Sequence, residues 1–505
     1  MPTPSAIVRC ERVEGVSKFA WSREWSKEAI QAIQAIQADG QVGVTRQRLV
    51  KSGRTILGVL LLGSGFVVGG ASAETLESAL ARAYGGNPTL NAQRASTRST
   101  DENVPRALSG YRPRVAATAD VGVQNQQGQN SGGSFNQTTV PRGAGLQVDQ
   151  TLFNGLRTFN STRQAESQVL SARETLRNTE QNVLFDAATA YMNVLRDTAS
   201  LELQKNNVEV LDEQLRQVRD RFNVGEVTRT DVAQAESRLA AGRSQVSGAE
   251  ANLRSSIARF RQVVGIEPRQ LAPGRPLDKF LPPNLDGALR IGLSEHPAIL
   301  SALHVFDAAE LQVKLTEGEL APTVGLTGAV TQRYDTSGSN NNTLSGSVVG
   351  RLSIPIYEGG EVYARTRQAK ETAGQRRIEA QIARDQVRAA IVSAWGQLES
   401  ARAQITASQA QVQAAEIALN GVREEARVGQ RTTLDVLNAQ QELLNARLNL
   451  ITAQRDRVVA SYSVVQSMGR LTTRNLGINI AQYSAKQHFD QVKDLWYGVR
   501  TPDGR

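Results

Sequence analysis

Residues 221–232 read Arg-Phe-Asn-Val-Gly-Glu-Val-Thr-Arg-Thr-Asp-Val, and residues 425–436 read Glu-Ala-Arg-Val-Gly-Gln-Arg-Thr-Thr-Leu-Asp-Val. Val224-Gly225, Thr228 and Asp231-Val232 return as Val428-Gly429, Thr432 and Asp435-Val436, each 204 positions on. Working upstream, the same offset pairs Ala190-Tyr191 with Ala394-Trp395, Thr162 to Ala165 with Thr366 to Ala369, and Leu152-Phe153 with Ile356-Tyr357. Working downstream, it pairs Gly265 with Gly469. Nearer the N-terminus the offset is 209, matching Ala79-Leu80 with Ala288-Leu289, Pro88 with Pro297 and Pro113 with Pro322. Repetition at a fixed period signals a fold built from copies of one unit. The chain reads as a tandem duplication: residues 74–265, a proline-dense connector over 266–286, a second repeat over 287–469, and a tail over 470–505.

Each repeat is expected to run helix, strand, strand, very long helix, turn, helix. Val208, Leu211, Leu215, Val218 and Phe222 step by three and four, as do Val412, Ala415, Leu419 and Val422. After each glycine turn the pattern returns in Val232, Ala235 and Leu239, and in Val436, Ala439 and Leu443. This spacing predicts antiparallel coiled-coil hairpins turning at Gly225 and Gly429. From about Gly155 to Phe222 neither proline nor glycine intervenes, and roughly 65 residues give a rod of about 100 Å.

The strands alternate with period two. Val115, Ala117, Ala119 and Val121 alternate with Ala116, Thr118 and Asp120, and Leu146 and Val148 alternate with Gln147 and Asp149. Their counterparts start at Val324 and Val348. Gln124 to Pro141 and Tyr334 to Gly346 are polar and are expected to be loops. Strands of this length suit a tilted membrane crossing. Four strands are too few for a closed barrel, and an open edge in lipid leaves backbone groups unpaired at several kcal/mol each. Membrane crossing therefore requires several chains. A soluble periplasmic coiled-coil scaffold or adaptor is the competing reading; it has no use for duplicated amphipathic strands.

The 505-residue chain carries a net charge of +9. Residues 1–73 hold nine Lys/Arg and five Asp/Glu, a net +4, which leaves +5 for the remainder. Without a basic run there is no footprint for nucleic acid. Arg46, Arg48, Lys51 and Arg54, then the apolar stretch Ile56 to Val68, then Ala71-Ser72-Ala73, read as a signal peptide over 46–73. Residues 1–45 are expected to be an upstream extension, with translation starting at Val44. The only cysteine, Cys10, falls there. His296, His304 and His488 lack metal-ligand spacing, and no catalytic motif stands out. No cofactor is expected, and no enzymatic activity.

Ala190-Tyr191-Met192-Asn193-Val194-Leu195, Arg221 to Gly225, Ile354-Pro355-Ile356-Tyr357-Glu358-Gly359-Gly360 and Val428-Gly429 through Asp435-Val436-Leu437 resemble the TolC family of outer-membrane efflux proteins, over about residues 75–470. The resemblance implies a mixed α/β, mainly α fold. It implies a homotrimer with four transmembrane strands per subunit in one twelve-stranded barrel, standing in outer-membrane lipid above a twelve-helix tunnel in the periplasm. It also implies a periplasmic adaptor and an inner-membrane transporter of RND, ABC or MFS type as partners, in efflux or type I secretion. Carried over residue by residue, Thr230, Asp231 and Arg431 match gate positions, and Asp435 matches an entrance aspartate. Ala426 and Asn438 depart from a gate tyrosine and a second ring aspartate. The alternative for both aspartates is plain helix capping, since Thr228 with Asp231 and Thr432 with Asp435 have capping-box spacing; Arg431 is read as a gate partner of Asp231. Phe153, Phe159, Tyr357 and Tyr363 are read as an interfacial aromatic girdle, with junction packing as the alternative.

Overall fold

A computed structural model describes residues 74–130, 132–336 and 341–504. The expected leader over 46–73 and the expected upstream extension over 1–45 lie outside the described residues.

The chain enters through α1 (Leu76–Gly86), α2 (Pro88–Asp101) and α3 (Asn103–Leu108). It then forms β1 (Arg114–Val121), β2 (Gln124–Asn130), β3 (Gly133–Thr139) and β4 (Arg142–Asn154). The hairpin α4 (Arg157–Asn223) and α5 (Arg229–Val264) follows. The second half brings α6 (Leu285–Glu295), α7 (Pro297–Glu317), β5 (Thr323–Tyr334), β6 (Asn342–Ser353), α8 (Glu361–Arg427) and α9 (Thr433–Ser467). A short α10 (Ala485–Val492) lies in the tail. Both α4 and α8 have 67 residues, about 100 Å of helix. Among the described residues no helix is long and apolar enough to cross a membrane.

Three expectations need correction. Of the loop expected over Tyr334 to Gly346, Asn342 to Gly346 is strand, since β6 starts at Asn342 opposite Tyr334 rather than at Val348. The single helix expected before each strand pair is broken. Pro88 and Pro297 each open a new helix at its first position, where the missing N–H is no loss. In the first half Pro105 breaks it again after Asp101, because a proline ring clashes with the carbonyl four residues back. The corresponding residue of the second half is Lys314, and α7 runs through it. The segment Gln124 to Pro141, expected as a loop, is instead the hairpin β2–β3, with Gln124 opposite Thr139 and Asn130 opposite Gly133. β1 and β4 already deliver the two chains antiparallel, with Val121 opposite Arg142. The Gly122 N–H to Pro141 carbonyl bond (2.9 Å) carries the ladder across. Polarity set the location of this segment in water, not its conformation.

β1, β4, β5 and β6 form one antiparallel sheet in that order. Directly opposite residues share a face, so the register sorts the side chains. One face carries Thr118, Asp120, Gln147, Asp149, Thr327, Thr331, Arg333 and Arg351. The other carries Val115, Val121, Leu146, Val148, Leu326, Val330, Val348 and Leu352. Gly143 lies between Asp120 and Arg333 in one row; with no side chain there, the Arg333 guanidinium reaches Asp120 at 3.5 Å. β1 and β6 are the outer strands of the sheet, and both are exposed along their whole length.

The main core is gathered where the helical segments meet. Leu80, Leu184, Tyr191, Phe260, Ile391, Leu398 and Met468 are fully buried there. The Tyr191 hydroxyl lies 2.7 Å from the Glu74 carbonyl and 2.6 Å from that of Ala272, so it ties the start of the described chain and the connector to α4. Burial in this core raises the Tyr191 phenol to about 12, which keeps the donor proton in place. Beyond the core the apolar contact within each hairpin narrows to a seam, Leu211, Leu215, Ala235 and Leu239 in the first and Ala415, Leu419, Leu443 and Ala446 in the second, flanked by exposed ion pairs such as Arg219–Glu236 and Arg447–Glu416. Alanine at these positions gives close helix approach but little buried area, so the tips form the low-stability end of the fold.

Candidate functional site: the hairpin tips

Each long helix ends on a left-handed glycine, Gly225 (φ 80°) and Gly429 (φ 79°). Glycine adopts this conformation without the steric penalty of a Cβ. At the first tip the Glu226 N–H bonds the Arg221 carbonyl (2.9 Å) and the Gly225 N–H bonds that of Phe222 (3.0 Å). At the second the Gln430 N–H bonds Glu425 (2.9 Å) and the Gly429 N–H bonds Ala426 (3.2 Å). These bonds satisfy the last carbonyls of α4 and α8.

The returning helices start with matching capping boxes. The Asp231 carboxylate accepts from the Thr228 N–H (2.9 Å) and hydroxyl (2.7 Å), while Thr228 Oγ1 accepts from the Asp231 N–H (3.3 Å). Asp435 and Thr432 repeat the arrangement at 3.0, 2.9 and 3.2 Å. The Thr228 hydroxyl and then its N–H hold the Asp231 carboxyl below its ordinary pKa; for Asp435 the Thr432 N–H is the larger cause, followed by the Thr432 hydroxyl. Both aspartates are thus anionic helix caps.

The pairing expected for Arg431 is not the one found. Its Nε donates to Glu425 Oε2 at 2.8 Å, within the same tip, and this bond raises its pKa further. Asp231 is engaged by its own cap, so within one chain the Asp231–Arg431 pair does not form. Thr230 is exposed beside it.

The two hairpins meet instead through Leu437 and Gln440, to which no gate role was given, and through the departure residue Asn438. Leu437 of α9 is 3% exposed and packs into the first hairpin's seam with Leu211, Leu215, Ala235 and Leu239. Next to it, Arg238 Nη2 donates to Asn438 Oδ1 at 2.8 Å. Gln440, also buried, bonds Gln214 and Asn207 of α4. The departure Asn438 therefore has a neutral acceptor's role toward Arg238. A signal was available: Leu437 stands where the first repeat has the exposed Ala233, an apolar residue gained on one copy only. Phe153, Phe159, Tyr357 and Tyr363 are all exposed where strands give way to helices, and Arg163 lies 5.7 Å from the Phe159 ring centre. Among the described residues no group of His, Cys, Asp and Glu could hold a metal ion.

Paired long hairpins carried on a small two-faced sheet are the architecture of known outer-membrane channels. The *Campylobacter jejuni* CmeC channel matches with a TM-score of 0.70 over 83% of this chain and 89% of its own, at 15% identity. Two stretches, residues 79–266 and 289–470, match the family described as outer membrane efflux protein. The chain belongs to that family. It is an outer-membrane exit duct for efflux or secretion, extending into the periplasm, and its family is one of channels, not of enzymes. It is 41% identical over 463 residues to the outer membrane efflux protein BepC of *Brucella suis*, covering 91% of this chain and all of that one. It is 26% identical over 425 residues to TolC of *Escherichia coli*, covering 80% and 84%. To the alkaline protease secretion protein AprF of *Pseudomonas aeruginosa* it is 27% identical over 326 residues, covering 62% and 67%.

Proposed function

We propose that this efflux-family channel works as a homotrimer, in which three four-stranded sheets share one twelve-stranded barrel and the long hairpins form a tunnel below it. One observation carries the reading: a sheet with a polar and an apolar face ends on two bare edges, β1 and β6, above helices of about 100 Å. Hydrocarbon on the apolar face and water on the polar one satisfy both, but only other copies can cover the edges. The duct is passive. A periplasmic adaptor and an inner-membrane transporter of RND, ABC or MFS type supply the substrate and the energy, in a tripartite pump or a type I secretion system. The two repeats, 74–265 and 287–469, arose by duplication, and the mature chain begins after the 46–73 leader.

The tips are the gate. Leu437, Asn438 and Gln440 hold the second hairpin against the first, while Thr230, Asp231, Arg431 and Asp435 line the entrance. Phe153, Phe159, Tyr357 and Tyr363 form the girdle at the lower membrane boundary. The test is the mass of the detergent-solubilised particle together with conductance in planar bilayers. Three chains and discrete conductance steps are expected; a single-chain particle that conducts nothing refutes the reading.

A further inference from the structure

We propose that β6 of one copy pairs with β1 of the next in a fixed register that sets Arg351 directly opposite Asp120. The inference rests on the oligomeric duct above and specifies its seam.

The argument uses the duplication as a ruler. β1 and β4 pair with Arg114 opposite Asp149 and Val121 opposite Arg142. Moving β1 by 209 and β4 by 204 gives Thr323 opposite Ser353 and Val330 opposite Gly346, and this is the observed β5–β6 register. The two hairpins therefore obey the duplication residue for residue. The contact between hairpins, β4 against β5, is seen once within a chain, with Val148 opposite Gly328 and Gln147 opposite Ala329. Its equivalent joins β6 to a β1, and within one chain these are opposite edges of the sheet. Applied there, the same offsets set Leu352 opposite Ala119 and Arg351 opposite Asp120 of a second copy.

Three features of the edges fit this partner. Asp120 and Arg351 lie on the same, polar face, so the derived register brings opposite charges together, a favourable cross-strand pair. Among the described residues Arg351 has no ion pair, whereas Asp120 already holds Arg333 on its other side. Each seam then carries Arg333, Asp120 and the incoming Arg351 in sequence around the lumen. Beyond β6, Ile356 and Tyr357 are 95% and 83% exposed. They correspond to Leu152 and Phe153, where the β4–β5 ladder is irregular between Thr151 and Phe153. Pro355, which has no N–H to donate, falls at that same irregularity, a position where proline is tolerated.

Disulfide trapping tests the register in the full chain with Cys10→Ser, which leaves no native thiol. Directly opposite residues have Cα atoms about 4.5–5.5 Å apart and diagonal ones about 7–8 Å, while a disulfide needs less than about 7 Å. Ala119→Cys with Leu352→Cys is expected to give covalent two- and three-chain species on mild oxidation. Ala119→Cys with Gly350→Cys, slipped by two residues on the same face, is expected to give none. The intrachain pair Val148→Cys with Gly328→Cys reports that the oxidation works and the sheet is folded. Cross-linking by the slipped pair alone overturns the register and leaves the oligomer standing. With the intrachain control positive, failure of both interchain pairs in a three-chain particle overturns the seam. The same failure in a single-chain particle overturns the duct reading itself.

Discussion

His296→Asn is expected to remove an acid-sensitive part of this protein's stability while leaving the fold unchanged near neutral pH. His296 joins α6 to α7, and its Nδ1 accepts the Ala298 N–H at 3.1 Å. An acceptor nitrogen must be unprotonated. Burial, and secondarily the Arg177 guanidinium, lower its pKa from 6.5 to about 4. A base whose folded pKa lies below its unfolded one contributes its stability in full above the unfolded value, and the contribution is lost as pH falls from about 6.5 to about 4. That interval corresponds to at most roughly 3 kcal/mol. The first repeat solves the same capping problem without a titrating group. Asn87, the residue 209 positions earlier, accepts from the Thr89 and Leu90 N–H groups at 2.9 and 3.3 Å. Denaturant midpoints of parent and variant, compared at about pH 7.5 and about pH 4.5, isolate the effect because other carboxylates affect both proteins alike. The parent should lose more than the variant on acidification. Equal losses would refute the reasoning.

Leu437→Ala removes three carbons from a nearly closed pocket between the hairpins, a loss of about 2–5 kcal/mol where nothing refills the space. Since about 1.4 kcal/mol is a factor of ten, open probability in planar bilayers should rise at least tenfold; an unchanged open probability would remove Leu437 from the gate. Arg431→Ser unties Glu425 within the tip and is expected to raise conductance, and no rise would confine Arg431 to a structural role. Thr432→Ala deletes one cap, worth about 1 kcal/mol, and should speed amide exchange in the first turn of α9 several-fold. Acid should act similarly: Asp231 and Asp435 both titrate below their ordinary 3.8, so tip protection is present above that value and lost as pH falls through the lower folded one. Exchange at the tips that is indifferent to Thr432 and to acid would rule out the caps as their stabiliser.

The amino-acid sequence alone determined what depends on spacing along the chain. Glycine after a long proline-free helix, threonine three residues before aspartate, and alternation along Val115 to Val121 are local patterns; their outcomes were the tips, the capping boxes and the two-faced sheet. The same patterning, measured between the two halves, supplied the offsets behind the register proposed between copies. Only the tertiary structure decided which residues meet across hairpins. Arg431 was matched to Asp231 by family position, but the turn sets its Nε against Glu425 of the same tip, with Asp435 the next charge acting on it. Leu437 stands one position off the seam of Val436, Ala439 and Leu443, and where the first copy has Ala233; only the packing of α9 against the first hairpin shows what buries it. Likewise the Asn/Gln-rich stretch after Val121 reads as solvent-exposed, but its strand form comes from the two chains that β1 and β4 hold side by side. Local backbone preference acts over a few residues and is written in order along the chain. A contact between Leu437 and Leu211 depends on how whole helices pack, and no spacing in the sequence encodes that distance.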